Sequence, residues 1–136
     1  MKIKTCALLA LCFPLMAHAA NWVKVKTPST HEDYFIDKAS VLKAERGFKV
    51  WSMVTSANAQ PSPQGTPYKS VKALYILTCE DRTTTLLQQV FYAEQMGRGA
   101  LVESLKFEKF PAEDIIPDSG ADGAHKLVCV KSPESK

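Results

Sequence analysis

Apolar and polar residues alternate with a period of two along most of the chain, which is the pattern of half-buried β-strands. The clearest example is the stretch WVKVK at residues 22–26. Residues 70–79 form the most apolar stretch beyond residue 20, so we expect this segment to be a central strand. Six strands are predicted in this way, at residues 22–26, 33–37, 48–55, 70–79, 83–94 and 101–110.

Two of the predicted strands show which faces need a cover. Alternate residues of the segment 70–79, among them Tyr75 and Cys79, share one face, so another element must lie over the cysteine sulfur. In the segment 48–55, Val50 and Trp51 point to opposite faces, and both side chains are apolar. We therefore expect both faces of the sheet to be covered near its centre.

The breaks between the strands are less certain than the strands. Residues 43–47 are predicted to form a turn, and residues 58–67 a loop, because proline cannot donate to a strand ladder. Residues 83–94 have the apolar spacing of a helix but also the threonines and aromatic residues of a strand. We prefer a strand, because residues 96–99 then form a hairpin into residues 101–110.

A short helix is predicted at the C-terminal end, over residues 119–130 with Ser119 near its start. Gly120 and Gly123 each weaken this helix by roughly 1 kcal/mol relative to alanine. Packing against the strands must therefore hold the helix in place. The combination indicates an α+β protein that is mainly β.

The N-terminus has the features of a secretory signal peptide. Lys2 and Lys4 precede an apolar run at residues 6–16, and Ala17-His18-Ala19 is a small-residue cleavage site. The run is too short to span a membrane, and no other stretch approaches the ~20 apolar residues that a spanning helix needs. The alternatives are an uncleaved anchor and a lipid anchor on Cys6 or Cys12. We predict a cleaved, non-lipidated leader at residues 1–19 and a single domain at residues 20–136.

Cleavage changes both the charge and the cysteine count. The 136-residue chain has 17 basic and 14 acidic residues, and without Lys2 and Lys4 the net charge falls from +3 to +1. Nucleic-acid binding is therefore not expected, because phosphate contacts need clustered basic residues. Cys79 and Cys129 remain, and in an oxidising compartment they are expected to form a disulfide that contributes roughly 4 kcal/mol. A redox-active pair is the alternative, but the C-x-x-C spacing is missing.

The chain has few residues suited to catalysis. His31 and His125 are the histidines beyond the leader, and without a nucleophile motif both are expected to lie solvated at the surface. Asp118, Asp122 and Gly123 are spaced as in a calcium loop, but the loop lacks a ligand and the final glutamate, so a turn is expected. We predict no catalytic residue, no cofactor and no metal site.

Several short segments together resemble the bacterial surface-adhesin protein E family. They are Asn21-Trp22, Tyr34-Phe35-Ile36-Asp37 followed by Ser40-Val41, Val50-Trp51, Tyr68-Lys69-Ser70, Leu77-Thr78-Cys79, Ile115-Ile116-Pro117-Asp118-Ser119 and Leu127-Val128-Cys129. The resemblance implies a single antiparallel sheet of about six strands, with a C-terminal helix packed on one face and tied by the Cys79–Cys129 bridge. It also implies a surface adhesin that binds host matrix proteins and can form a homodimer. Vitronectin, laminin and plasminogen are the partners to test.

The leading hypothesis is an exported, non-enzymatic binding protein that recognises other proteins through exposed sheet and loop surfaces. Four lysines are expected to steer acidic partners to its rim: Lys24, Lys26, Lys69 and Lys72. The alternative is a soluble periplasmic protein, such as an inhibitor of an envelope enzyme.

Overall fold

The fold is that of a computed structural model, which describes residues 19–129. Residues 1–18 of the predicted leader, including Cys6 and Cys12, lie outside the described residues, as does Val130 of the predicted helix. The strands are β1 Trp22–Val25, β2 Glu32–Asp37, β3 Leu42–Ala44, β4 Gly47–Pro61, β5 Pro67–Thr78, β6 Thr83–Tyr92, β7 Leu101–Lys106 and β8 Glu113–Asp114. The helix α1 is Gly120–Cys129, and short 3₁₀ turns occur at Lys38–Ser40 and Gln95–Gly97.

All strand pairs are antiparallel and belong to one open sheet. The main strands follow the order β1-β2-β4-β5-β6-β7, while β3 pairs with β4 and β8 pairs with β6. β1 and β7 form the two edges of the main order. The prediction of a single sheet of about six strands with one C-terminal helix is confirmed, and β3 and β8 are short additions to it.

The hairpin between β4 and β5 differs from the prediction of a loop over residues 58–67. β4 continues to Pro61 and β5 begins at Pro67, so that the loop is reduced to residues 62–66. The amide of Ser62 donates to the carbonyl of Thr66 at 2.8 Å. Hydrogen-bonded and non-bonded pairs alternate along an antiparallel ladder, so the next pair, Pro61 with Pro67, needs no amide donor. The two prolines are tolerated for that reason.

Three further segments differ in their bounds. Residues 83–94 are a strand as preferred, with β6 ending at Tyr92, and the hairpin that follows is closed by the amide of Ala93 donating to the carbonyl of Ala100 at 2.9 Å. β7 ends at Lys106, four residues before the predicted end at residue 110. Residues 43 and 44 of the predicted turn belong to β3, which pairs with the start of β4, so the turn is reduced to residues 45–46.

The helix covers one face of the sheet and buries the main core there. The buried apolar residues of this core are Val25, Ile36, Val50, Tyr75, Leu77, Ile115 and Ala124. They come from β1, β2, β4 and β5, from the chain before α1, and from α1 itself. Each well-buried side chain of this size contributes roughly 1.5–3 kcal/mol through the area removed from water.

The two glycines of α1 mark where the helix touches the sheet. A Cβ atom at Gly120 would overlap the Tyr34 ring, and one at Gly123 would overlap the Val25 side chain. Their low helix propensity is therefore offset by a close approach of the two layers. The last residue of α1, Cys129, forms the predicted disulfide with Cys79 across 50 residues of chain, with the Cα atoms 5.6 Å apart.

Candidate protein-binding surface

The described residues contain no arrangement of the kind that metal sites use. Between residues 19 and 129 there is no group of three His, Cys, Asp or Glu side chains placed to hold a metal ion. His31 is exposed, as predicted, and Cys79 and Cys129 are joined to each other.

His125 corrects the expectation of a solvated histidine, because it is buried between α1 and the end of β5. Its Nε2 lies 3.2 Å from the carbonyl oxygen of Cys79, and its Nδ1 lies 3.3 Å from Nη1 of Arg82. A carbonyl only accepts and a guanidinium only donates, so these contacts assign the proton to Nε2 and leave Nδ1 as the acceptor. The ring therefore bridges Arg82 and the backbone of Cys79 beside the disulfide.

Asp122 lies next to this bridge on α1 and is also buried. One carboxylate oxygen accepts from Nη2 of Arg82 at 2.9 Å, and the other accepts from Nζ of Lys126 at 2.8 Å and the amide of Asp118 at 3.1 Å. These hydrogen bonds, the one from Lys126 first, lower the pKa of Asp122 to about 2. The predicted turn is thus correct for Asp118, whereas Asp122 belongs to the helix and fixes it to Arg82 at the start of β6.

The start of α1 follows from the sequence around this carboxylate. The Ser119 hydroxyl accepts from the amide of Asp122 at 3.2 Å and donates to the carbonyl of Ile116 at 2.6 Å. A serine followed three residues later by an acidic residue is typical of a helix N-terminus. The cluster of His125, Arg82 and Asp122 therefore positions the helix. The polar groups of these side chains form hydrogen bonds within the cluster and with the neighbouring chain.

The face of the sheet opposite α1, called the open face here, carries an aromatic cluster. Its central residues are Trp22, Trp51, Lys72, Val90 and Tyr92, which line a cavity of about 290 Å³ together with Ala20 and Asp37. Val90 is buried, whereas the side chains of the other four residues are half-buried. Aromatic and amphipathic side chains of this kind are enriched in the cores of protein interfaces.

Strand register explains how these residues meet. In the register, Lys72 of β5 lies opposite Met53 of β4 and Val90 of β6, so its side chain shares their face. Nζ of Lys72 lies 5.1 Å from the centre of the Tyr92 ring and 5.6 Å from that of Trp22. A cation within about 6 Å of an aromatic face is attracted by the ring quadrupole. Lys72 therefore joins the two rings across the open face.

The hairpin between β6 and β7 folds over one end of the open face. The amide of Met96 donates to the Thr55 hydroxyl at 3.1 Å, and the amide of Gly97 donates to the Ser70 hydroxyl at 2.8 Å. The Ser70 hydroxyl in turn donates to the carbonyl of Glu94 at 2.6 Å. These buried hydroxyls hold the hairpin down and leave the aromatic cluster as the uncovered part of the face.

The four lysines expected at the rim do not form one patch. Lys24 pairs with Asp33 at 2.7 Å, and Lys69 lies 4.0 Å from Glu94. Lys72 belongs to the aromatic cluster. Lys26 is exposed and has no ion-pair partner among residues 19–129.

A second concave region lies along the junction of β1 and α1, and we call it the edge cleft. It has a volume of about 500 Å³ and is lined by Lys24, Val25, Lys26, Thr27 and Pro28 from the β1 side, and by Asp118, Ser119, Asp122, Gly123, Lys126 and Leu127 from the α1 side. The edge cleft thus places Lys26 and Lys126 on opposite walls.

Sequence reasoning found part of the open face. The alternation in β4 correctly directs Trp51 away from Val50, which is buried beneath α1. It could not group Trp51 with Trp22 and Tyr92, because these residues lie on three strands whose order depends on pairing between distant segments. The sequence signal was the position of each aromatic residue within its own alternating stretch.

Comparison with known proteins identifies relatives of this architecture. A family model described as surface-adhesin protein E matches residues 22–130. No curated protein matches the sequence significantly. No helix among residues 19–129 has the length and apolar character needed to cross a membrane.

Solved structures of Haemophilus influenzae protein E are similar in fold. One matches with 20% sequence identity and a TM-score of 0.61, covering 80% of this chain and 83% of that chain. A second crystal form gives the same identity and TM-score, with 88% of this chain and 98% of that chain covered. Protein E from non-typeable Haemophilus influenzae matches with 21% identity and a TM-score of 0.55, covering 82% and 86% of the two chains.

Proposed function

Because this chain belongs to the surface-adhesin protein E family, we propose that it is an exported, non-enzymatic adhesin that binds host extracellular-matrix proteins. In this proposal a leader at residues 1–19 is cleaved without lipidation, and the domain at residues 20–136 acts at the cell surface or after secretion. Vitronectin, laminin and plasminogen are the proposed partners, and adhesion to them would serve virulence. A homodimer is part of the same proposal, supported by the family resemblance.

The aromatic cluster of the open face is the observation that carries this proposal. Trp22, Trp51 and Tyr92 form a half-exposed apolar surface around one lysine, on a rigid sheet that is covered on its other side. Truncation of such anchors typically weakens an interface by about 2 kcal/mol or more. A flat sheet of this kind suits a protein partner better than a small molecule, because the cavity of about 290 Å³ is shallow and lies at the surface.

Trp51→Ala tests the open face directly. We expect the variant to lose about thirtyfold in affinity for whichever of immobilised vitronectin, laminin or plasminogen the unaltered protein binds. Ile116→Ala is the matched control, because Ile116 is an exposed apolar residue outside the strands. Thermal unfolding of both variants checks that the fold is retained. Equal affinities of the two variants for the host protein would contradict a role for the open face.

The intact mass of the exported protein tests processing. We expect the mass of a chain that begins at Ala20, and an added diacylglycerol on a cysteine would contradict the unlipidated leader.

Protease treatment of intact cells tests the location. The alternative function, inhibition of an envelope enzyme inside the periplasm, is favoured by Leu11, which stands before Cys12 where lipoprotein signals have a small residue. A surface adhesin is digested on intact cells. Protection until the outer membrane is opened would support the periplasmic alternative instead.

A further inference from the structure

The outer edge of β1 offers unpaired backbone groups for strand addition. β1 pairs with β2 on one side, and no strand among residues 19–129 pairs with its other side. The amide of Lys38, just after β2, donates to the carbonyl of Asn21 at 2.9 Å, so the polar groups of Asn21 face β2. Because successive residues of a strand alternate, the N–H and C=O groups of Trp22 and Lys24 point away from the sheet.

Positive charge accompanies this edge. Lys24 and Lys26 project from it, and Lys126 stands across the edge cleft on α1. The pair between Lys24 and Asp33 is exposed, so it is weak and can be shared with an added carboxylate. Lys126 is itself engaged by Asp122, and Asp118 also lines the edge cleft. The positive charge that an added carboxylate can use therefore comes from Lys26 and, by sharing, from Lys24.

The lysines at this edge favour an acidic strand over a second copy of β1. A second copy of β1 paired antiparallel and centred on Lys24 would set that lysine directly opposite its own copy, and like charges directly opposite each other in a sheet are destabilising. Lysines on a short edge strand are a known protection against pairing of identical chains. The same lysines attract an acidic strand, for which they provide complementary charge.

The two sides of an added strand meet different surroundings. On one side it faces Lys24, whose side chain shares the open face with its diagonal neighbour Asp33. Lys26, just beyond the end of β1, continues the same alternation and falls on the side of Lys24. On the other side it faces the edge cleft, where Val25 and Leu127 provide apolar contact. A strand has a side-chain period of two, so acidic residues on one face and apolar residues on the other satisfy both surroundings.

From these observations, we propose that the free edge of β1 binds an extended peptide segment of alternating acidic and apolar residues as an additional strand, with its carboxylates at Lys24 and Lys26. The proposal rests on the proposed protein-binding function and names one class of partner segment for it. Backbone hydrogen bonds supply affinity in such strand addition, and the alternate side chains supply specificity.

The experiment uses the exported chain and a fluorescein-labelled, end-capped eight-residue peptide that alternates valine and glutamate. Fluorescence polarisation measures binding, and amide hydrogen exchange by NMR locates it. We expect binding that weakens with salt, and amide exchange at Trp22 and Lys24 slowed by about tenfold or more. A peptide with lysine in place of each glutamate is expected not to bind.

Two pairs of variants separate the backbone and charge contributions. Lys24→Pro removes an outward N–H that β2 does not use, whereas Lys24→Ala removes the same charge and keeps the N–H. We expect the proline variant to bind the peptide about tenfold more weakly than the alanine variant. Lys26→Glu is expected to weaken binding about tenfold, and Lys49→Glu, at an exposed lysine of β4, is its control. Thermal unfolding confirms that each variant is folded.

Several outcomes would overturn the inference. Equal binding of the acidic and basic peptides would show that charge does not select the partner. Equal binding of the acidic peptide by Lys24→Pro and Lys24→Ala would show that the peptide does not pair with the backbone of β1. Concentration-dependent protection of the Trp22 and Lys24 amides without peptide would assign the edge to a second copy. Host-protein binding that is sensitive to Trp51→Ala, together with no binding of the acidic peptide, would overturn the strand addition and leave the proposed function standing. Absence of host-protein binding alongside tight peptide binding would reject the adhesin instead.

Discussion

Asp122 is the residue on which the position of α1 depends most. Its buried carboxylate receives hydrogen bonds from Arg82, Lys126 and the amide of Asp118, and it serves no other described group. Buried charges of this kind are tolerated only when they are paired and hydrogen-bonded. The residue is therefore structural, although its depressed pKa and its neighbour His125 would otherwise suggest an active site.

The depressed pKa of Asp122 predicts a particular acid response. Its pKa is about 2 in the folded protein against an ordinary value of 3.8. The folded state thus holds the proton more weakly, and the stabilisation is present above pH ~4 and is lost as the pH falls toward 2. We expect Asp122→Asn to lower the free energy of unfolding at pH 6 and to flatten its decline between pH 4 and pH 2, as measured by urea unfolding.

Asp81→Asn provides the control for this prediction. Asp81 is exposed and lies 3.9 Å from Arg46, so its ion pair is weak and open to solvent. The control variant should keep the full acid dependence of the unaltered protein. If Asp122→Asn and Asp81→Asn have the same pH profile, the Asp122 cluster does not hold the helix in the way described.

At the scale of elements, the contact between α1 and β1 is governed by Gly123. In an exposed helix, alanine in place of glycine stabilises by about 1 kcal/mol. Here the added methyl group would overlap Val25, and overpacking of this kind typically costs about 1–3 kcal/mol. We therefore expect Gly123→Ala to lower the free energy of unfolding by about 1 kcal/mol in urea titrations.

The double variant separates overlap from propensity. Val25→Ala removes the atoms that the new methyl group would meet, so Gly123→Ala should become stabilising in that background. The effect of Gly123→Ala on the free energy of unfolding is then expected to change sign between the unaltered protein and the Val25→Ala background. Additive losses would mean that the helix can shift away from β1, and that Gly123 is not required for close packing.

Most strands could be predicted from the sequence because each has its own alternating pattern. The segment of β6 is ambiguous in the sequence, since its apolar residues also fit a helix, and the hairpin predicted at residues 96–99 favours the strand that the structure contains. The ends of β4 and β5 could not be predicted, because the effect of Pro61 and Pro67 depends on which pair of the ladder they occupy. His125 was missed for a similar reason, since nothing local indicates that its side of α1 faces Cys79.

For the whole molecule, the division between a covered and an uncovered face is the main consequence of the fold. Apolar residues on both sides of β4 predict a cover on both faces. α1 covers one face, and on the other Met53 is fully buried near the hairpin of residues 93–100, whereas Trp51 stays half-exposed. The aromatic cluster is the uncovered part of that face. Neither its grouping nor the pairing of Lys24 and Lys69 with acids was readable from the sequence, because both arise from strand order.

The disulfide links the helix α1 to the sheet, and its removal should weaken the contact between these two layers. The bridge closes 50 residues between the end of β5 and the end of α1, which in the chain-entropy account contributes roughly 4 kcal/mol. We expect the double variant Cys79→Ala with Cys129→Ala to lose about that amount in urea unfolding, out of the ~5–15 kcal/mol usual for a domain. Amide exchange in α1 should accelerate more than in β4 and β5, because the helix then depends on the Asp122 cluster and on its small buried contact. Reduction of the unaltered protein should give the same loss and is the control. A variant that keeps both its stability and the slow exchange of α1 would show that packing alone holds the helix on the sheet.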